Sequence, residues 1–394
     1  MDKFKTVFFT IIITMLIMSA LFAFVFMQTK SESNLGTPQN ASIAVNDTFR
    51  NSKEKREFLN DEIYQSRRNI ITETVAEVTK SVVGINTKEI RQYRSNDPFM
   101  RYFFGDRIYN REIRGLGSGA IISPDGYILT NDHVAGGADK IDVTLTDGTR
   151  YEAKLIGSDQ VSDIALLKID AENLPFLKLG DSEDIIIGEW VIALGNPFGF
   201  FDINDKPSVT VGVVSSLGMN LNPLENRYYL NMIQTDAAIN NGNSGGPLVN
   251  SIGELIGMNT LIYSQSGGNI GVGFAIPINK IKRIVAELKK DGKVDRDFWT
   301  GLRIQNVDEG IANYYGLNNT NGVIVTHVWE NSPASKSGIV PGDIILKIDE
   351  FIITDDQIIK GVLQEFRTNQ TVSLNILRDG KEITKKMKLE KQND

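Results

Sequence analysis

Apolar residues are spaced in several ways along this chain of 394 residues, and each spacing predicts a different element. Val7 to Met27 is an apolar run of 21 residues without a charged side chain. At a helical rise of ~1.5 Å per residue it would span about 30 Å, the thickness of a bilayer core. Lys3 and Lys5 precede it, so the positive-inside rule predicts a cytoplasmic N-terminus and an exported remainder. The competing reading is a cleaved signal peptide. Its apolar core would be shorter, about 7–15 residues, and would end in a small-x-small site that Leu21-Phe22-Ala23 matches poorly. Residues 28–68 are polar and mixed in charge and read as a linker. From Ile70 to Val83, the residues Ile70, Ile71, Val75, Val78 and Val82 fall at helical spacings and predict an amphipathic helix.

From about 115 to 276 the pattern shortens. Runs such as Ile141–Leu145, Ala165–Ile169, Trp190–Leu194 and Ser208–Val214 alternate with Gly, Pro, Asn and Asp turns. Many short strands with frequent turns predict a sandwich or barrels, not βαβ units. Ile278, Ile281, Ile284, Val285 and Leu288 then line one helical face, with Gly292 as the expected C-cap. From about 297 a second unit begins. It contains a strand over Gly322–Val328, a helix start at Ser332-Pro333-Ala334 and a turn and strand over Pro341–Ile348. A helix around Asp355–Thr368 and a hairpin turning at Arg378–Lys381 complete it. The expected division is 1–27 anchor, 28–68 linker, 69–292 first folded domain and 295–394 second.

Composition narrows the chemistry. The chain has no cysteine, which excludes disulfides, thiolate metal sites and a cysteine nucleophile. Its net charge of −7 argues against bulk nucleic-acid binding. It has two histidines, so a His-rich metal site is not expected, and general-base work falls to His133 or His327.

The segment Asn240-Asn241-Gly242-Asn243-Ser244-Gly245-Gly246-Pro247-Leu248 carries the strongest chemical signal. Glycines around a serine permit a tight turn whose N–H groups converge on one point, where an oxyanion can be held. Gly242, Ser244 and Gly246 also satisfy the G-x-S-x-G elbow, but strand-like sequence follows them, and the order Ser, acid, His would need His327, in the second unit. The order His, Asp, Ser fits better. His133 closes Gly126–His133 just past an apolar strand, and Asp163 opens the otherwise apolar run Ile164–Ile169. Asp132, Asp159 and Asp236 are weaker candidates for the acid.

These segments resemble the HtrA (Deg) family of serine proteases. Gly115–Val134 resembles that family's histidine segment, Asp159–Ile169 its aspartate segment and Thr235–Leu248 its serine segment. Gly195-Asn-Pro-Phe-Gly and Gly271–Pro277 are further family-like stretches, and residues from about 299 resemble a single PDZ domain. The resemblance implies a mainly β fold: two chymotrypsin-like six-stranded β-barrels followed by an α+β PDZ domain, preceded by one transmembrane helix. One departure is Asn241, where the family more often has Pro or Arg.

The resemblance further implies a catalytic set of His133, Asp163 and Ser244, with an oxyanion hole at Gly242, Asn243 and Ser244. The position six before the nucleophile, Ala238, would floor the substrate pocket, with Ile270, Gly271, Val272, Gly273 and Phe274 as another wall. Without an acid at Ala238, cleavage after small or medium aliphatic residues is expected. Trp299-Thr300-Gly301-Leu302 matches the carboxylate-binding loop of a PDZ domain, which captures C-terminal tails. Asp97–Asp106 resembles the long family loop that regulates the site and contacts neighbouring subunits. The implied protein is a single-pass protease of a bacterial inner membrane, trimeric, needing no cofactor or metal and binding no nucleic acid. It would cleave misfolded or regulatory proteins outside the cytoplasm in quality control or envelope stress. The alternative is a proteolytically weak chaperone or adaptor that binds exposed C-termini.

Overall fold

A computed structural model describes residues 67–94, 108–196, 206–240, 242–262 and 270–392. The apolar run 7–27, the linker to residue 66, the segment Asp97–Asp106 and Asn241 lie outside the described residues. Among the described residues no helix is long and apolar enough to cross a membrane. The described residues from Asn69 onward pack as one unit.

Helix α1 (Ile70–Val78) is capped by Asn69, whose side chain accepts from Thr72 N while the Thr72 hydroxyl returns to Asn69. It ends earlier than its apolar spacing predicts. After a 3₁₀ turn at Thr79–Ser81, Val82 enters strand β1 (Val82–Arg94), opposite Ala120 of β2 (Ile108–Ile121). Tertiary pairing overrides local helical periodicity at that point.

The first half continues with β3 (Tyr127–Thr130), the short helix α2 (Asp132–Ala135), β4 (Lys140–Thr144), β5 (Arg150–Glu152), β6 (Lys154–Asp159) and β7 (Ile164–Lys168). The seven strands form one sheet in the order β5-β4-β1-β2-β3-β7-β6. Strand β7 shows why its sequence is apolar throughout. Ala165 and Leu167 face this half's own core, and Ile164 and Leu166 face a layer shared with the second half. A strand buried on both faces needs no polar alternation. Each buried Leu or Ile there contributes about 1.5–3 kcal/mol.

The second half is a closed six-stranded barrel of β8 (Trp190–Gly195), β9 (Ser208–Met219), β10 (Met232–Thr235), β11 (Pro247–Asn250), β12 (Leu255–Ile262) and β13 (Gly273–Pro277). The expected pair of six-stranded barrels therefore takes the form of one closed six-stranded barrel and one seven-stranded sheet. Helix α3 (Ile278–Asp291) lays Ile281, Ile284 and Leu288 on the shared apolar layer. It stops at Gly292, whose φ of 71° is left-handed and whose N–H returns to Leu288 O.

The C-terminal sheet runs β14-β15-β16-β18-β19, with β17 on β16. These are β14 (Leu302–Asn306), β15 (Val323–Val328), β16 (Ile344–Ile348), β17 (Phe351–Ile352), β18 (Thr371–Arg378) and β19 (Lys381–Lys388). Helices α4 (Glu309–Tyr315), α5 (Pro333–Lys336) and α6 (Asp356–Gln364) connect them. Ser332 caps α5, and Asp355 caps α6 by accepting from Gln357 N and Ile358 N. The predicted hairpin closes at Arg378 and Lys381, with Asp379 and Gly380 both left-handed.

This sheet and the two preceding halves are joined by specific contacts. Arg296, in the connection between them, forms a bidentate pair with Asp159 (2.5 and 2.8 Å) and donates to Gln364 O at 2.6 Å. Lys280 pairs with Glu365, and Arg367 Nε lies 2.8 Å from Glu287. Leu230 of the barrel side packs into the C-terminal core.

Candidate active site

His133 sits on α2, one turn of helix that the chain enters directly from β3. Asp163 lies just before β7, fully buried, in the left-handed conformation (φ 58°). That turn aims its carboxylate back at α2. Asp163 Oδ2 is 2.8 Å and Oδ1 3.0 Å from His133 Nδ1, and Oδ1 also accepts the His133 backbone N–H at 3.0 Å. A carboxylate at this distance pairs with the tautomer whose proton is on Nδ1, the arrangement in which Nε2 keeps its lone pair.

The other candidate acids go elsewhere. Asp159 is tied to Arg296, Asp236 accepts from Val213 N, and Asp132 accepts from Arg227 at 3.1 Å. Burial pushes Asp159 up, but the Arg296 guanidinium outweighs it and holds the carboxyl below its ordinary value. His327 lies on β15 and packs edge-on against Trp329 at 4.8 Å.

Ser244 occupies a turn between β10 and β11 that is laced to the first half. Ser118 N donates to Ser244 O at 2.9 Å, and Ser118 Oγ donates to Gly242 O at 2.5 Å. Gly245 is left-handed (φ 82°), and a Cβ there would stand 2.3 Å from both Ser118 O and Thr130 Oγ1, so only glycine fits. This contact brings the serine turn against the end of β3, beside Asn131, Asp132 and His133. Gly242 is also left-handed at φ 95°. Asn243, expected among the oxyanion donors, is a correction: its N–H is committed to Asn240 O at 2.9 Å within the turn. Ser244 Oγ donates to Thr260 O at 3.2 Å, and among the described residues no hydrogen bond joins it to His133.

Around the expected pocket, Ala238 is half-buried and its carbonyl accepts from Thr210 Oγ1 at 2.8 Å. Gly273 lies over Ile239, where a Cβ would come within 2.8 Å of Ile239 Cδ1. Phe274 points the other way and is buried in the layer between the halves, and Val272, half-buried, packs against that same layer, so these two expected wall residues face away from Gly273. The two-residue period of β13 explains it: Gly273 and Ala275 share one face, Phe274 and Ile276 the other. Ile270 is exposed.

In the C-terminal unit, the loop Trp299-Thr300-Gly301-Leu302 leads into β14. Trp299 N donates to Glu390 O, Ala334 N to Thr300 O and Trp329 N to Gly301 O, at 3.0–3.1 Å. A cavity of about 600 Å³ runs between this loop and Leu363 and Gln364 on α6, with Tyr228 also lining it.

Arg227 and Tyr229 carry no signal in the sequence. Tyr229 OH donates to Asp163 Oδ2 at 3.3 Å, and Arg227 Nε lies 3.3 Å from Asp163 Oδ1. Burial, then the Asp163 charge, pushes the Tyr229 phenol well above its ordinary value, so it is a neutral donor at working pH. Asn131 carries no such signal either. Its buried Nδ2 donates to Asp163 O at 2.9 Å and to Thr260 Oγ1 at 3.0 Å.

A histidine–carboxylate pair set against a glycine-bound serine, on two β halves joined to a PDZ-like sheet, defines a trypsin-like serine peptidase domain with a PDZ domain. A trypsin-like peptidase domain is matched over residues 117–258 and a PDZ domain over residues 300–389. The chain belongs to the HtrA (Deg) family of serine endoproteases. It is 42% identical over 332 residues to the probable periplasmic serine endoprotease DegP-like of Marinomonas sp. (strain MWYL1), covering 82% of this chain and 68% of that one. The DegP-like relative from Rickettsia prowazekii (strain Madrid E) is 42% identical over 345 residues, 86% of this chain. The chain spans 63% of that relative's length. Among solved structures, the HtrA-type protease AlgW with decapeptide matches with a TM-score of 0.62 at 37% identity, over 82% of this chain and 99% of that one. The serine endoprotease from Yersinia pestis matches with a TM-score of 0.55 at 33% identity, over 83% and 99%.

Proposed function

We propose that this chain is a membrane-anchored serine endopeptidase that cleaves misfolded or regulatory proteins outside the cytoplasm. Ser244 is the nucleophile, His133 the general base and Asp163 the acid that orients it. The observation that carries this reading is the contact of His133 Nδ1 with both oxygens of a fully buried Asp163, at 2.8 and 3.0 Å. Ser244 Oγ attacks the peptide carbonyl and His133 Nε2 takes its proton. The imidazolium shares its Nδ1–H with Asp163 and returns the other proton to the leaving amine. The N–H groups of Gly242 and Ser244 hold the oxyanion, each such donor contributing roughly 10²–10³ in rate. Water then releases the acyl-enzyme.

The domain limits 69–292 and 295–394, the inner-membrane anchor at 7–27, a trimeric assembly and a role in envelope stress belong to the same reading. The groove between Trp299–Leu302 and α6 supports capture of extended C-terminal tails, which add as a strand to β14. The Ala238 floor supports cleavage after small or medium aliphatic residues. Peptide profiling checks the pocket, and fractionation of the intact chain checks the anchor.

The test is hydrolysis of an unfolded protein by the intact chain and by Ser244→Ala. The variant is expected to lose on the order of 10⁶ in turnover, and a fluorophosphonate probe is expected to label the parent at Ser244. Equal hydrolysis by the two proteins would sink the assignment. One observation favours the second reading, a proteolytically weak adaptor: Ser244 Oγ is turned to Thr260 O. A parent that resists the probe with and without a C-terminal peptide would establish that reading instead.

A further inference from the structure

We propose that Arg227 is a positioning residue for Asp163, and that its charge sets the lower pH limit of activity by opposing a second cation on His133. This rests on the reading of His133, Asp163 and Ser244 as the catalytic set. The first observation is how Arg227 is delivered. Leu224 and Arg227 exchange backbone hydrogen bonds (3.1 and 2.8 Å) around Glu225 and Asn226, both left-handed at φ 50° and 63°. That is the geometry of a type I′ turn, which favours Asn-Gly, and a glutamate stays in it only where its surroundings hold it. Tyr228 N donates to Val161 O at 2.9 Å and ties the turn to the residues just before Asp163.

The second observation is what the guanidinium meets. Its NH2 group donates to Asp132 Oδ2 at 3.1 Å and its NH1 group to Glu225 Oε2 at 3.0 Å. Nε lies 3.3 Å from Asp163 Oδ1 but makes no hydrogen bond, so this is a charge contact without alignment. The Arg227 side chain is 11% exposed. Burial works against its charge, and Asp163 and Asp132 outweigh burial and hold the cation firmly. One buried cation thus touches the two carboxylates that flank His133.

The consequence follows from Oδ1 having two claimants. It accepts from the His133 backbone N–H and lies 3.0 Å from Nδ1, while Arg227 Nε stands 3.3 Å from it. The cation fixes the carboxylate in place. It also repels a proton added to the imidazole, which keeps the base free to lower pH. The charged and titratable groups around His133 and its partner Asp163 are Asp132 on the same helix as His133, Asp163 itself before β7, Arg227 and Tyr229 from the segment after β9, which meet Asp163, and Glu89 on β1 across a cavity that His133 lines. Glu225 stands on the outer side of Arg227.

The experiment compares kcat and kcat/KM against pH for the full chain carrying Arg227→Met, Arg227→Gln or Arg227→Lys. Removing the cation is expected to move the acid limb of kcat/KM upward by roughly one pH unit, the scale of a neighbouring-charge effect. It is also expected to lower kcat more than it changes KM. Arg227→Lys keeps the charge but not the fork, so its limb stays near the parent's while kcat drops severalfold. Arg227→Gln is the fallback if the methionine variant does not fold, since it removes the charge but keeps a polar side chain at the position. A folded, neutral variant with the parent's acid limb overturns the proposal, and so does a lysine variant shifted as far as the methionine one. Fluorophosphonate labelling of the parent separates the two failures. A parent left unlabelled with and without a C-terminal peptide removes the catalytic reading itself, and a labelled parent with an unmoved limb removes only the role of Arg227.

Discussion

The two sides of the candidate active site are held by different physics. On the acid side, side chains do the holding: Asp163 is surrounded by His133, Tyr229 and Arg227, and charge and burial fix it. On the serine side the backbone does. Ser244 is placed by a left-handed Gly245 and by Ser118, whose amide and hydroxyl reach the backbone of the turn. The Ser244 hydroxyl itself rests on a main-chain carbonyl, Thr260 O. A carboxylate inside a paired cluster is preorganised before substrate arrives. A hydroxyl on a backbone acceptor changes partner by rotating one bond. The acid side is thus built as a fixed part and the serine side as an adjustable one.

The largest expected break in that comparison is Asp163→Asn. The amide keeps the shape but cannot stabilise the imidazolium and favours the wrong tautomer, so kcat is expected to fall on the order of 10⁴. Because the change is on the fixed side, added C-terminal peptide should not restore it. Steady-state turnover with and without peptide is the measurement, and recovery to within tenfold of the parent would show that the acid side is adjustable too.

A smaller effect is expected where the acid side is tethered to the C-terminal unit. Asp159 accepts from Ser162 N, next to Asp163, and is held by Arg296 in the connection. Its carboxyl, held below the ordinary value by Arg296 against burial, contributes stability that is fully present above the unfolded value of about 3.9. That contribution is lost as pH falls through the lowered native value. Arg296→Met leaves a buried carboxylate unpaired and is expected to cost about 3 kcal/mol at neutral pH. Urea unfolding from pH 7 downward reads this, and the gap between parent and variant should close below about pH 4. A constant gap across that range would place the stabilisation elsewhere.

Much of this arrangement is legible in the amino-acid order, and what is not has a physical reason. Ser244 announces itself because a tight turn requires glycines around it, and Asp163 because a carboxylate opens an otherwise apolar run. The strands, α3 and the Gly292 cap follow from spacing and turn residues. Arg227 and Tyr229 are silent because their partner is more than sixty positions away and only tertiary packing joins them. Val272 and Phe274 are a different case. Strand alternation, applied from Gly273 onward, already divides pocket face from core face, and a resemblance read as a continuous segment hides that division. The early end of α1 shows pairing with β2 winning over helical periodicity.

The smallest expected effect lies where the two sides meet. Asn131 donates to Asp163 O and to Thr260 Oγ1, and the carbonyl of that same Thr260 accepts from Ser244 Oγ. It is a buried bridge between Asp163 and the acceptor under the Ser244 hydroxyl. Asn131→Ala removes two hydrogen bonds and leaves their acceptors buried, which costs about 1–3 kcal/mol. Turnover should fall by roughly tenfold to a hundredfold, the scale of a small misplacement of reacting groups. If the bridge couples the sides, Thr260→Val and Asn131→Ala are non-additive, because each removes the same Nδ2–Oγ1 bond. A double-mutant cycle on kcat is expected to give about 0.5–1.5 kcal/mol of coupling. Strictly additive losses would mean that acid and nucleophile are positioned independently, and that the adjustable side moves without the fixed side sensing it.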